Sequence, residues 1–513
     1  MGRERGWRLR AVGHEGSITV FGFTVVLAAL VATGFTRPAQ ALPSFARQTG
    51  QPCGTCHTDF PALTPFGRRF KLLGYTVGGG AFKTTPFSDA PPRFAPADDA
   101  RAQAEQMRAY AKAIEAGPSE GEKEYVPPIS MMAIAGFTRT DSSLPPPTAP
   151  YAPNNNLVLS PFSGFWGGAI TDHIGAFAQV TYNAPPVGGF PDPFGRVWNW
   201  DNTDVRYADS TSIGPFDVIY GITANNNPTV QDVWNTTPAW SFPYASSTIA
   251  PTPATKTLIQ GAFAAHVGGV GGYLFINDLL YLEMTGYRTL SFSQQNAVGI
   301  DPFGAPGLLA QTAPYWRAAL EPHWDRHSLM VGTFGMAANV NPWIDPTFAL
   351  GTMGTFPQAD RFTDTGFDAQ YQYQGGNYWI TLRASYIREF QKLDASFNNG
   401  GASNPTNLLN VMNVQGSVAV GNDNRFVFTG QYFNIWGTSD PLLYAGLASG
   451  FSPNSSGYIG EIAYIPFGIS QAPGWPWFNM RVGLQYTYYT EFEGTSVGAH
   501  SHNTLFLYTW FAM

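Results

Sequence analysis

From about Pro128 to the C-terminus, hydrophobic and polar residues alternate in segments of ten to fifteen positions separated by turn-rich stretches. In "FNMRVGLQYTYY", Met480, Val482, Leu484, Tyr486 and Tyr488 fall on one face and Asn479, Arg481, Gln485 and Thr487 on the other. In "NYWITLRASY", Ile380 and Leu382 oppose Thr381, Arg383 and Ser385, and in "YWRAALEPHW", Trp316, Ala318, Leu320 and Trp324 oppose Arg317, Glu321 and His323. Successive side chains of a strand point to opposite faces. An apolar side toward lipid and a polar side toward a lumen accounts for all three segments.

The pattern fits about 16 antiparallel strands, a mostly β transmembrane barrel over 128–513. Its connections alternate in length. Short ones are predicted at Thr171–His173, Ile213–Gly214, Gly268–Gly271, Asp325–Arg326, Gly375–Gly376 and Gly421–Asn424, and long ones near 141–156, 185–199, 226–256, 289–313, 341–360, 392–407 and 438–456. A connection near 469–477 breaks the alternation. In outer-membrane barrels short turns face the periplasm and long loops face outside, so an even strand number leaves both barrel ends in the periplasm. The last strand, "NTLFLYTWFAM", is rich in aromatics. The competing fold is a soluble β-sandwich or propeller.

Composition narrows the class. Charged residues make up 12% of the 513, aromatics 15%, and there are 56 glycines, while no run after residue 41 is apolar enough for a membrane helix. Arg3, Arg5, Arg8 and Arg10 precede an apolar run from Ile18 to Phe35, and Ala39-Gln40-Ala41 follows. Residues 1–41 therefore read as a signal peptide, with an uncleaved anchor as the alternative. Its removal takes the net charge from −7 to −10. The next residues, 42–83, are basic and the remainder acidic, which argues against nucleic acid as a partner.

The basic segment holds the only cysteines, Cys53 and Cys56, with His57 directly after. CxxCH is the attachment pattern of a c-type haem: each thiol adds to a haem vinyl group and the imidazole takes one axial position on the iron. A redox CxxC lacks its βαβ context here, and zinc lacks a fourth ligand nearby. After the site, Leu63, Phe66, Phe70 and Leu73 recur at helical spacing, giving a face that could pack on porphyrin. Arg68, Arg69 and Lys71 fall elsewhere, and Arg68 and Lys71 are candidates to pair with the haem propionates. Gly78-Gly79-Gly80 ends the module, which is too small for a self-sufficient core. Residues 42–83 contain no methionine or second histidine as sixth ligand, so the candidates lie outside: Met107, Met131, Met132 and the later histidines. Met107 sits in an amphipathic helix predicted within a linker, 84–127.

The run Phe45-Ala46-Arg47-Gln48-Thr49-Gly50, then Cys53, Cys56 and His57, then Pro61, Leu63, Phe66-Gly67-Arg68, Phe70-Lys71 and Gly74-Tyr75, resembles the fused outer-membrane monohaem cytochrome–porins of iron-oxidising bacteria. The close match spans residues 42–80; the likeness over the barrel is one of layout, and 84–127 looks like an addition. The resemblance implies one covalent haem c in the mouth or lumen of the barrel, carried by Cys53, Cys56 and His57. It further implies electron transfer from an extracellular reductant, such as Fe²⁺, to a soluble periplasmic cytochrome or other acceptor. Two other functions fit the residues: a diffusion porin with a haem-bearing plug, and an exported haem enzyme with an open iron site. On the expected sidedness, His500 and His502, with Glu491 and Glu493 below, form a candidate donor site on an external loop, while His323 and His327 flank the turn Asp325-Arg326 at the periplasmic mouth.

Overall fold

A computed structural model of the protein describes residues 43–76, 128–143, 152–182, 198–342, 358–469 and 476–513. The expected signal peptide, Gly78-Gly79-Gly80 and the helix bearing Met107 lie outside these residues.

Sixteen antiparallel strands close into one barrel. In chain order they are β1 Ile129–Thr140, β2 Asn156–Ala169, β3 Ile174–Tyr182, β4 Trp198–Ile213, β5 Phe216–Asn225, β6 Val267–Ile276, β7 Leu280–Thr289, β8 Ala313–Leu320, β9 His327–Pro342, β10 Asp360–Gln374, β11 Tyr378–Lys392, β12 Thr406–Val420, β13 Phe426–Gly437, β14 Ser455–Tyr464, β15 Asn479–Glu491 and β16 Thr504–Ala512. Two short pieces, Gly307–Leu309 and His323–Trp324, extend the β8 position at its two ends by pairing with β9. Each strand pairs with its sequence neighbours, and β1 pairs with β16 from Met132 opposite Ala512 to Thr140 opposite Thr504. Closure leaves no unpaired sheet edge in the hydrocarbon, where an unpaired backbone group would cost several kcal/mol.

The alternation in sequence becomes the two faces of the wall. Leu382, Leu484, Tyr486 and Tyr488 are exposed on the outside, as are Phe367, Ile462 and Met284. Arg317, Arg383, Arg481 and Gln485 are buried inside. A closed barrel with an apolar outer belt and a polar lumen is an outer-membrane protein, and the soluble alternatives fall away.

Both barrel ends and the short turns share one rim, the periplasmic one in barrels of this class. One predicted turn is misplaced. Gly268–Gly271 lies inside β6, and the turn comes at Asn277 and Asp278, both at positive φ (55° and 52°), as a tight hairpin turn requires. The glycines serve packing: a Cβ at Gly269 would run into the Tyr287 ring on β7. A second difference matters more. The connection after β5, expected as an external loop over 226–256, extends to 266 and folds into the lumen, where Thr229, Val230, Trp234 and Thr237 are buried.

Leu484, midway along the lipid face of β15, provides a check. Leu484→Arg is expected to lower stability by about 2–4 kcal/mol, the penalty for arginine at the bilayer midplane. Urea unfolding in lipid vesicles reads it, and an unchanged midpoint would contradict the outward assignment.

Candidate functional site

Residues 43–76 form a small helical module held inside the barrel. Helix α1 spans Pro43–Thr49, α2 is the single turn Cys53–Cys56, and α3 spans Pro65–Leu72. Thr64 joins the last two: its hydroxyl donates to the Thr55 carbonyl (2.6 Å) and accepts from the Gly67 amide (3.1 Å) as the N-cap of α3, with Pro65 at the first helical position. Gly67 is needed where α3 crosses α2, because a Cβ there would overlap the Cys56 carbonyl.

The module is fixed at many points. The Ser44 amide donates to Ser130 Oγ on β1 (3.0 Å), Gln48 bridges the Gly167 carbonyl and the Ala169 amide on β2, and Arg47 reaches the Ile129 carbonyl while lying over the Trp477 ring. The Gly54 amide donates to the Ile469 carbonyl (2.7 Å). Ile469 belongs to the long periplasmic connection that broke the alternation, so that exception supports the cysteine turn. At the far end of α3, Tyr273 donates to the Leu72 carbonyl (2.6 Å), and Tyr75 donates to Asp204 (2.7 Å), which also holds Arg206. Phe66, Phe70, Leu72 and Leu73 pack on Phe165, Phe177, Phe275 and Tyr281 of the wall.

Between the module and the infolded 226–266 segment lies a cavity of about 460 Å³. Cys53, Cys56 and His57 line it together with Phe45, Phe60, Phe70, Tyr75, Phe165, Phe177, Trp240, Tyr244 and Trp510. The predicted porphyrin-facing stripe is thus divided: Leu63 and Phe70 reach the cavity, whereas Phe66 and Leu73 pack on the wall. The loop that walls the cavity was missed from sequence, although "VWNTTPAWSFPY" concentrates aromatics in a stretch where an external loop would be polar.

Local environment sets the chemistry. The two cysteines form no disulfide, and burial pushes each thiol up to about 12. Burial also lowers the His57 pKa to about 4, keeping the imidazole neutral at physiological pH. His57 Nδ1 is 3.2 Å from the Pro61 carbonyl. The neutral ring therefore donates from Nδ1 and leaves the Nε2 lone pair for a metal. Two thiols beside one oriented imidazole, in a largely aromatic cavity, suit a covalently held haem.

The two basic candidates part company. Arg68 does not reach the cavity: its guanidinium binds Glu321, Ser328, Gln370, Gln372 and the Leu63 carbonyl, tying α3 to the barrel wall. Arg68, expected near the propionates, thus faces the wall, with Nε its one donor left without a hydrogen bond. Lys71 does line the cavity. Its ammonium donates to the Val230 (2.6 Å) and Asp232 (2.9 Å) carbonyls over the Trp240 ring, and burial lowers its pKa to about 7. Arg69 pairs with Asp278 at the β6–β7 turn.

The outlying histidines are placed separately. His500 and His502 lie in a short 3₁₀ turn, Ala499–His502, where i and i+2 do not share a face; His502 stacks on Phe492 at 3.9 Å. Glu493 accepts the amides of Ala254 and Ala448. Among the described residues no three His, Cys, Asp or Glu side chains converge as a metal set, so these four residues do not assemble into one. His323 and His327 do flank the short turn at the periplasmic rim, with His323 Nε2 3.5 Å from Glu321 and His327 Nδ1 2.7 Å from the Tyr371 hydroxyl.

The crossing at Gly67 can be tested directly. Gly67→Ala is expected to destabilise the module by about 1–3 kcal/mol through forced displacement of the cysteine turn. The measurement is the protease concentration that cleaves within 43–76 in the folded barrel; equal resistance in the variant and the parent would show that the helices do not cross so closely.

No protein-family model matches the chain, and no curated protein matches it. Among solved structures, in vitro-folded OmpT of Vibrio cholerae is 9% identical, with 75% of this chain and 96% of that chain covered at a TM-score of 0.36. OmpF of Salmonella typhi in complex with daunomycin is 11% identical (75% and 97% covered, TM-score 0.42), and OprB of Pseudomonas putida is 11% identical (75% and 92%, 0.40). These likenesses concern the barrel alone and identify no site residue.

Proposed function

We propose that this outer-membrane barrel is an electron conduit in which Cys53, Cys56 and His57 hold one haem c inside the lumen. The observation that carries the reading is the shared cavity: both thiols and the oriented imidazole line one largely aromatic space within the wall. Each thiol would add across one vinyl double bond, sulfur to one carbon and hydrogen to the other, so attachment needs no oxidant and releases nothing. Once bound, the haem supplies a one-electron redox centre.

The chain's own residues do the rest. A hydrocarbon layer about 30 Å thick bars electrons from crossing unaided, and a closed barrel is the structure that brings a cofactor to that depth without exposing backbone to lipid. The module enters from the rim that carries the chain ends and short turns, and the 226–266 segment covers it from the other side. An extracellular reductant, Fe²⁺ among the candidates, would deliver electrons from the long-loop side. A soluble periplasmic cytochrome would take them at the short-turn rim, near His323 and His327. The resemblance of residues 42–80 to the cytochrome–porins supports the same direction.

A diffusion porin with a haem-bearing plug is the second reading. What favours it is size: sixteen strands enclose a lumen of the width that conducts in porins. The buried contacts of the module and the infolded segment with the wall weigh against free diffusion.

Two measurements separate the readings. Protein from outer membranes should keep its haem stain on a denaturing gel, and the stain should vanish in Cys53→Ser/Cys56→Ser; stain persisting in the double variant would refute covalent attachment here. In planar bilayers the parent should pass little current, whereas steady porin-like conductance would favour the second reading.

A further inference from the structure

The structure assigns a sixth iron ligand: we infer that the Met132 thioether sulfur, on β1, completes the coordination begun by His57. The inference rests on the haem reading above and extends it to the barrel wall.

Three observations lead to Met132. It lines the same cavity as Cys53, Cys56 and His57. Its neighbours in register fix its direction: Ser130 and Ile134, two residues to either side, are buried against the lumen, and Ser130 Oγ accepts the Ser44 amide of α1. Met132, like Phe60 and Tyr244, packs against the buried cluster that holds Ile134, Tyr508 and Trp510. Phe60 in turn meets His57 edge-on at 5.1 Å and Trp510 at 4.9 Å, so the histidine and methionine flank one aromatic cluster. Met131 also borders the cavity, but it alternates to the outer face of β1 and is 43% exposed, so exposure and register, not lining, separate the two methionines.

The other strong iron ligands are excluded by engagement or position. Lys71 is held by two carbonyls and Trp240, the Tyr75 hydroxyl by Asp204, and the Tyr244 hydroxyl by Arg383. Apart from His57, no described histidine lines the cavity. Methionine is flexible and its sulfur needs no hydrogen bond, so a wall-mounted thioether can reach an iron without leaving a buried polar group unpaired.

The assignment has a redox consequence. A thioether favours ferrous over ferric iron, so His/Met ligation raises the reduction potential compared with two imidazoles. A high potential is what a conduit needs to accept electrons from a weak reductant such as Fe²⁺. The strand that closes the barrel would then also tune the haem.

The test uses the full chain purified from outer membranes. The parent ferric protein should be low-spin, show the near-infrared charge-transfer band of methionine-sulfur ligation, and bind cyanide slowly. Met132→Leu, which nearly conserves volume, should lose that band, become high-spin and bind cyanide readily, while Met131→Leu should match the parent. Met132→His should restore a low-spin spectrum with a lower midpoint potential. A Met132→Leu spectrum identical to the parent, with haem retained, overturns the assignment and leaves the haem reading standing. Parent protein without haem overturns both. Should Met132→Leu fail to fold, absence of the sulfur band from the parent spectrum is itself decisive against Met132.

Discussion

Every backbone amide and carbonyl within the hydrocarbon must find a partner in the protein, and that requirement shapes the molecule. It forces the wall to close, β1 against β16, and sixteen strands then set a lumen too wide for wall side chains alone to fill. Among the described residues, the interior is occupied by two segments of the same chain entering from opposite rims. The module comes from the side of the barrel ends, and 226–266 from the side of the long loops. The cavity exists because the two stop short of each other.

What holds these segments is largely ionic and hydrogen-bonded. Arg68 of the module meets Glu321 of the wall, and the same carboxylate accepts the Trp234 indole N–H of the infolded segment (2.7 Å). One buried group thus joins module, wall and loop. Arg481 plays a similar part on the other side, binding Glu461 and the Phe60 carbonyl. Paired charges of this kind contribute little net stability compared with an apolar core, but losing one partner leaves an uncompensated buried charge and costs several kcal/mol. They favour one docked position over a sliding plug.

The wall was legible in sequence because its physics is local. Alternation at period two shows in any five residues, and the exposed Leu382 and Leu484 beside the buried Arg383 and Gln485 fall as the pattern predicts. The turn at Asn277-Asp278 was legible in principle, and the glycines of β6 drew attention from it. Interior packing was not legible, since its partners are distant in the chain: Arg68 meets Glu321 across 253 positions, and Arg481 meets Phe60 across 421. CxxCH suggests a chemistry through spacing alone, whereas the aromatic side chains around it come from the module, three strands and a loop that no local pattern connects.

The module touches both sides of the seam, β1 through Ser44 and Arg47 and β16 through the Phe60–Trp510 contact. Biogenesis is constrained by that geometry. A segment that precedes β1 in the chain and rests in the lumen against both β1 and β16 is seated as the first and last strands zip together. Any enzyme that acts on Cys53 and Cys56 would reach them most freely before closure, because afterwards both residues line a cavity inside the barrel. Insertion thereby fixes the module, and whatever Cys53 and Cys56 carry, inside the wall.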